Sequence, residues 1–142
     1  MLELPTVADL ARRRVAAAGL TARVDVLTGD AMAGSIPSGY DACLLANLVH
    51  YWSPEQNQAL LARVRSAVET GARLLIADFW TDPTHTEPVM AALMAGEFAV
   101  HLRHGDVYSV DEARDWLSAT GWRFVEHRPL TCPVSLVVAE AV

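Results

Sequence analysis

Apolar residues in this chain alternate between two rhythms, short unbroken runs and helical spacings. The runs at 41–46 (Asp-Ala-Cys-Leu-Leu-Ala) and 73–78 (Arg-Leu-Leu-Ile-Ala-Asp) predict strands covered on both faces, as parallel strands beneath helices are. Between them Leu60, Leu61, Val64 and Val68 recur on one helical face. That helix opens at Ser53-Pro-Glu-Gln56, where serine caps, proline suits the first turn and glutamine closes a capping box. Gly71 ends it. Ser109-Val-Asp-Glu112 opens a second boxed helix that runs to Gly121. Thr6-Val-Ala-Asp9 is a similar start for a helix to Ala18, and Gly19 suits the left-handed position beyond it.

The remaining pattern is shorter. Residues 2–4 read as the end of a strand, and residues 23–28 as a strand closed by Gly29-Asp30. Residues 89–100 form a helix rich in methionine and alanine, between loops at 83–88 and 103–108. Residues 122–130 and 134–139 are two strands joined through Pro133. Alternating helix and strand predicts an α/β fold with a mostly parallel sheet. The last two strands add a C-terminal antiparallel hairpin.

Composition narrows the class. With 142 residues, 52% of them hydrophobic, the chain is expected to form one domain over 1–142. A net charge of −6 argues against a nucleic-acid partner, and Arg12-Arg13-Arg14 reads as a solvated helix face. No signal peptide and no run of about 18 apolar residues is visible, so a cytoplasmic chain without a membrane partner is expected. Cys43 and Cys132 are too few for a disulfide framework or a zinc site, and Cys43 is expected to be buried. His101 and His104 lie three apart without a third ligand, so no metal is expected.

The chemistry gathers where strand 41–46 runs out. Leu45-Ala-Asn-Leu-Val-His50-Tyr-Trp52 sets a histidine and a tryptophan at the carboxyl edge of a strand, where open α/β sheets bind ligands. The segment resembles the Leu-x-x-x-Leu-His-x-Trp stretch of S-adenosylmethionine-dependent small-molecule O-methyltransferases. Glu3-Leu-Pro-Thr-Val7 resembles that family's acid-Leu-Pro-x-Val, and Gly29-Asp30-Ala31-Met32 its Gly-Asp after the third strand. The resemblance implies a Rossmann-like class I methyltransferase core with S-adenosyl-L-methionine as cofactor. It implies that Glu3 receives the ribose hydroxyls, Asp30 and Ala31 the adenine, and Trp52 packs beside that ring. His50 is implied as the general base that accepts a proton from a substrate hydroxyl. Asp78 and Asp106 are both candidates for orienting it. Met90, Met94, Phe98 and His101 would line the pocket of a small aromatic or polyketide-like substrate, and a homodimer is expected as a possible assembly.

The chain has no Gly-x-Gly, whereas the family grips the methionine half of its cofactor with a glycine-rich loop after the first strand. An N-terminally truncated catalytic domain is therefore expected, with the first strand and that loop missing. In one arrangement the strands flanking the gap keep unpaired edges. In the other they pair directly into a six-stranded sheet. The alternative to an enzyme is a non-catalytic remnant that serves as a protein-interaction module.

Overall fold

A computed structural model describes residues 1–131 and 133–142. The reading of the Cys132 thiol lies outside the described residues. The chain divides into two compact units, Met1–Ile36 and Pro37–Val142.

In the first unit β1 (Leu2–Glu3) and β2 (Leu27–Thr28) pair in parallel around α1 (Pro5–Ala17). The expected Thr6 cap does not form. Leu4 occupies the N-cap without a side-chain bond, and its carbonyl accepts from Val7 and Ala8. The reason lies in Pro5, whose fixed φ suits the first helical position and which holds the preceding residue extended. The other end matches the expectation. Gly19 has φ 69°, its N–H reaches Ala16 O, and Leu20 N–H reaches Val15 O, which is a Schellman closure. The strand expected over 23–28 shrinks to Leu27–Thr28 because Arg23 and Val24 donate back to Leu20 O, extending the helix exit as a turn. Arg12 fastens α1 to β2 through Val26 O (3.2 Å) and Thr28 Oγ1 (2.7 Å).

The second unit is built on one four-stranded sheet, in the order β3 (Ala42–Ala46), β4 (Arg73–Asp78), β8 (Ser135–Ala141), β7 (Trp122–Pro129). β3 and β4 run parallel, and β8 is antiparallel to both β4 and β7. Helices α2 (Pro54–Ser66) and α4 (Val110–Ala119) start at the two expected capping boxes. Ser53 and Gln56 bond reciprocally, as do Ser109 and Glu112. Leu60, Leu61 and Val64 of α2, Leu74 and Ile76 of β4, Leu117 of α4, Trp122 of β7 and Val137 of β8 are all buried. The Trp122 indole N–H donates to Leu61 O (3.1 Å), tying β7 to α2.

Three expectations change here. β3 is an edge strand with β4 as its one neighbour, so Leu45 is buried while Leu44 is 62% exposed and Cys43 only half-buried. Burial still raises the Cys43 thiol above its ordinary pKa. The six-stranded alternative does not form, because β1 and β2 pair only with each other. Finally, β5 (Trp80–Thr81) and β6 (Tyr108–Ser109) form a parallel pair in place of a loop at 108. The last helix, α3 (Val89–His101), follows the expected span but buries only Ala91. Among the described residues no helix is long and apolar enough to cross a membrane.

Candidate active site

β3 and β4 end together, with Ala46 opposite Ala77 in register. Asn47 then takes φ 49°, and a single 3-10 turn, Val49–Tyr51, carries His50 over the strand end. Asp78, the last residue of β4, receives that turn. Its Oδ2 accepts from Leu48 N–H (2.9 Å) and Val49 N–H (3.0 Å). Its Oδ1 accepts from Phe79 N–H (2.9 Å) and meets His50 Nδ1 at 2.7 Å. The carboxylate is fully buried, and four donors fill its roughly four acceptor positions.

That saturation decides the imidazole tautomer. A carboxylate with every position taken by donors can only accept from His50, so Nδ1 carries the hydrogen. In the neutral ring Nε2 then carries the lone pair. His50 is 5% exposed. Phe98, Tyr51 and Phe79 surround that ring at centroid distances of 4.1, 4.6 and 5.8 Å.

The turn is held on its other side as well. Asn57, fully buried in the first turns of α2, donates through Nδ2 to Val49 O (2.9 Å) and Trp52 O (3.2 Å). Tyr108 adds its hydroxyl to Trp52 O at 2.6 Å. Burial first, then the charges of Asp106, Glu112 and Glu55, push the Tyr108 phenol up to about 12, so it remains a donor at neutral pH. Asp106 N–H caps His50 O (3.1 Å), while its carboxylate accepts from Val107 N–H. Of the two acids that could orient His50, the structure thus brings Asp78 to the ring.

The other residues singled out in the sequence fall as follows. Trp52 is half-buried directly after the His50 turn. On α3, Phe98 reaches His50, Met94 is half-buried, and Met90 is 52% exposed. His101 is exposed and paired with Glu97 at 3.2 Å. In the first unit, Glu3 sits opposite Thr28, and Gly29 N–H donates to Glu3 O, which sets Glu3 and Asp30 on neighbouring strand ends. Asp30 Oδ1 accepts from Met32 N–H, shaping the turn through Ala31. A Cβ on Gly29 would stand 3.0 Å from the tip of the Leu2 side chain, so the strand ends approach closely here. Glu3 and Asp30 thus lie on adjacent strand ends as carboxylate acceptors, a set that fits a ligand carrying hydroxyl and amino groups. The cofactor named by the resemblance carries both. Among the described residues no group of three His, Cys, Asp or Glu could hold a metal ion.

Asn57, Tyr108 and the Phe98 stack were not apparent from sequence. Asn57 carried one usable signal: it interrupts the apolar face of α2 one turn before Leu60 and Leu61.

A family model described as an O-methyltransferase domain matches residues 1–123. The 3-hydroxy-5-methyl-1-naphthoate 3-O-methyltransferase of Streptomyces sahachiroi is 39% identical over 85% of this chain and 35% of its own length. The L-tyrosine C(3)-methyltransferase of Streptomyces lavendulae is 33% identical over 86% of this chain and 34% of its own. The crystal structure of the S-adenosylmethionine-dependent methyltransferase SibL in its apo form superposes with a TM-score of 0.89 at 33% identity. It covers 99% of this chain and 42% of that one. The chain thus spans about a third of the length of these relatives.

Proposed function

The chain belongs to the O-methyltransferase domain family and has its Rossmann-like class I methyltransferase fold, and from that premise we propose that it transfers a methyl group from S-adenosyl-L-methionine to a hydroxyl of a small aromatic or polyketide-like molecule. S-adenosyl-L-methionine is the cofactor of this family, and when bound it supplies an electrophilic methyl group. The observation that supports the reading is the buried pair of His50 and Asp78, whose Nδ1 and Oδ1 lie 2.7 Å apart, so that Nδ1 is engaged and Nε2 is the nitrogen available to a substrate.

In this mechanism the substrate hydroxyl donates to His50 Nε2. Its proton passes to that nitrogen, and the oxygen keeps the electron pair of the broken O–H bond. A phenol has an ordinary pKa near ~10, so without a base little of it is ionised at neutral pH. Asp78 holds Nδ1–H and faces the positive charge that the ring acquires. Because its four donors are already in place, nothing needs to reorganise around the carboxylate as that charge forms. Within the first unit, Glu3, Asp30 and Ala31 are proposed to contact the cofactor. Met90, Met94, Phe98 and His101 are proposed to border the substrate. A carbon beside the phenol is a second possible acceptor, a reading favoured by the L-tyrosine C(3)-methyltransferase relative. The same base would then take the phenol proton, and the ring carbon's proton would leave to solvent as aromaticity is restored and the phenol oxygen regains a proton.

The test compares His50→Ala with the unaltered chain on a panel of hydroxylated aromatic acids and phenols. The variant is expected to lose about 10²- to 10⁴-fold in turnover, with affinity for S-adenosylhomocysteine unchanged. Equal loss of both would make His50 a structural residue and overturn the assignment.

A further inference from the structure

Phe98 lies flat on the His50 imidazole, with ring centroids 4.1 Å apart and planes 4° from parallel. Phe79 meets both rings edge-on, 5.8 Å from His50 and 5.5 Å from Phe98, which locks the pair from the side. α3 otherwise presents exposed apolar side chains, with Val89, Met90, Leu93 and Val100 all more than half exposed. A leucine at position 98 would also give the imidazole an apolar cover. What a phenyl ring adds is a negative face, which attracts a cation far more than a neutral ring.

We infer that Phe98 is a positioning residue for His50: its face fixes the imidazole and favours the charged form that the ring takes while it holds the substrate's proton. The inference rests on His50 acting as the base. Two effects compete at this contact, since the phenyl cover also removes water from the imidazole and disfavours its charge. Phe98→Leu separates them, because it keeps the apolar cover and removes the π face. The other groups near His50 stay in place in that variant. They are Asp78 from β4, Asp106 bonded through its N–H to His50 O, the Tyr51 ring at 4.6 Å and the Phe79 ring at 5.8 Å. On α3 the neighbouring charges, Glu97 and His101, are exposed and paired with each other.

The experiment is an NMR titration of the five imidazoles in the 142-residue chain. His50 is assigned by the signal lost in His50→Gln. In the unaltered chain its ring protons should be shifted upfield by the stacked phenyl. In Phe98→Leu that displacement should vanish, and the His50 pKa should fall by roughly half a unit to one unit. Phe98→Tyr should restore both, and His85, His101, His104 and His127 should not move. Phe98→Met, an unbranched cover without a ring, should behave as Phe98→Leu, so the result does not hang on one variant folding. An unchanged or higher His50 pKa in these variants overturns the inference. Its failure is separable from failure of the base assignment. Turnover lost in His50→Ala beside an unchanged pKa in Phe98→Leu removes Phe98's role alone. Turnover retained in His50→Ala removes the base, and with it the catalytic meaning of the stack.

Discussion

Asp78 shows how one side chain can set the chemistry of another. Two of its four donors are backbone N–H groups of the turn that carries His50, so the same carboxylate fixes the turn and the tautomer. An amide at this position offers one oxygen and two hydrogens, and its NH₂ would face donors already pointing inward. Asp78→Asn is therefore expected to cost about 2–4 kcal/mol of stability, read as a lowered urea midpoint. It should also release the imidazole to the other tautomer, visible in the nitrogen shifts of His50. A stability equal to that of the unaltered chain would mean the four bonds matter little. Much of this was legible in the sequence. His50 stood at a strand end, and Asp78 closed the next apolar run at the same edge. Which acid meets the ring was not legible, because Asp78 and Asp106 both lie in reach by order along the chain. Only the parallel register of β3 and β4 separates them.

At the scale of elements, the helices were readable wherever a side chain supplies the cap. Ser53 with Gln56 and Ser109 with Glu112 started α2 and α4 as expected. Thr6 failed because a proline one residue earlier had already set the helix start. The β5–β6 pair was illegible for another reason: two-residue strands hold too few positions to show a period. β3 misled because its apolar run is what a central strand would carry, yet it lies at the sheet edge. The β5–β6 pair matters to the site, since it places Tyr108 so that its hydroxyl pins Trp52 O behind the His50 turn. The Tyr108 pKa is raised to about 12 in the folded chain, from about 10 when unfolded. A raised pKa means its contribution to stability is complete below about pH 10 and is lost as the pH rises through about 12. Chemical denaturation across that window should show stability level up to about pH 10 and falling above it. Tyr108→Phe should flatten the decline, and an unchanged slope in that variant would assign it to other groups.

For the whole molecule, two compact units carry different parts of the proposed chemistry. The first holds a parallel strand pair whose ends bring Glu3 and Asp30 together. The second holds the base, its acid and the aromatic rings around it. Family membership and fold are settled by a match over residues 1–123 and by close superposition on a solved methyltransferase. Activity is the proposal that follows from them, and it begins with the cofactor. The most direct measurement is calorimetric titration of S-adenosylhomocysteine into the purified, folded 142-residue chain. The account predicts saturable binding that persists in His50→Ala and weakens in Glu3→Ala and in Asp30→Ala. Ligand at about a hundred times its Kd should also stabilise the chain by about 2.7 kcal/mol. A folded chain that binds no S-adenosylhomocysteine would contradict the proposal and favour the non-catalytic interaction module.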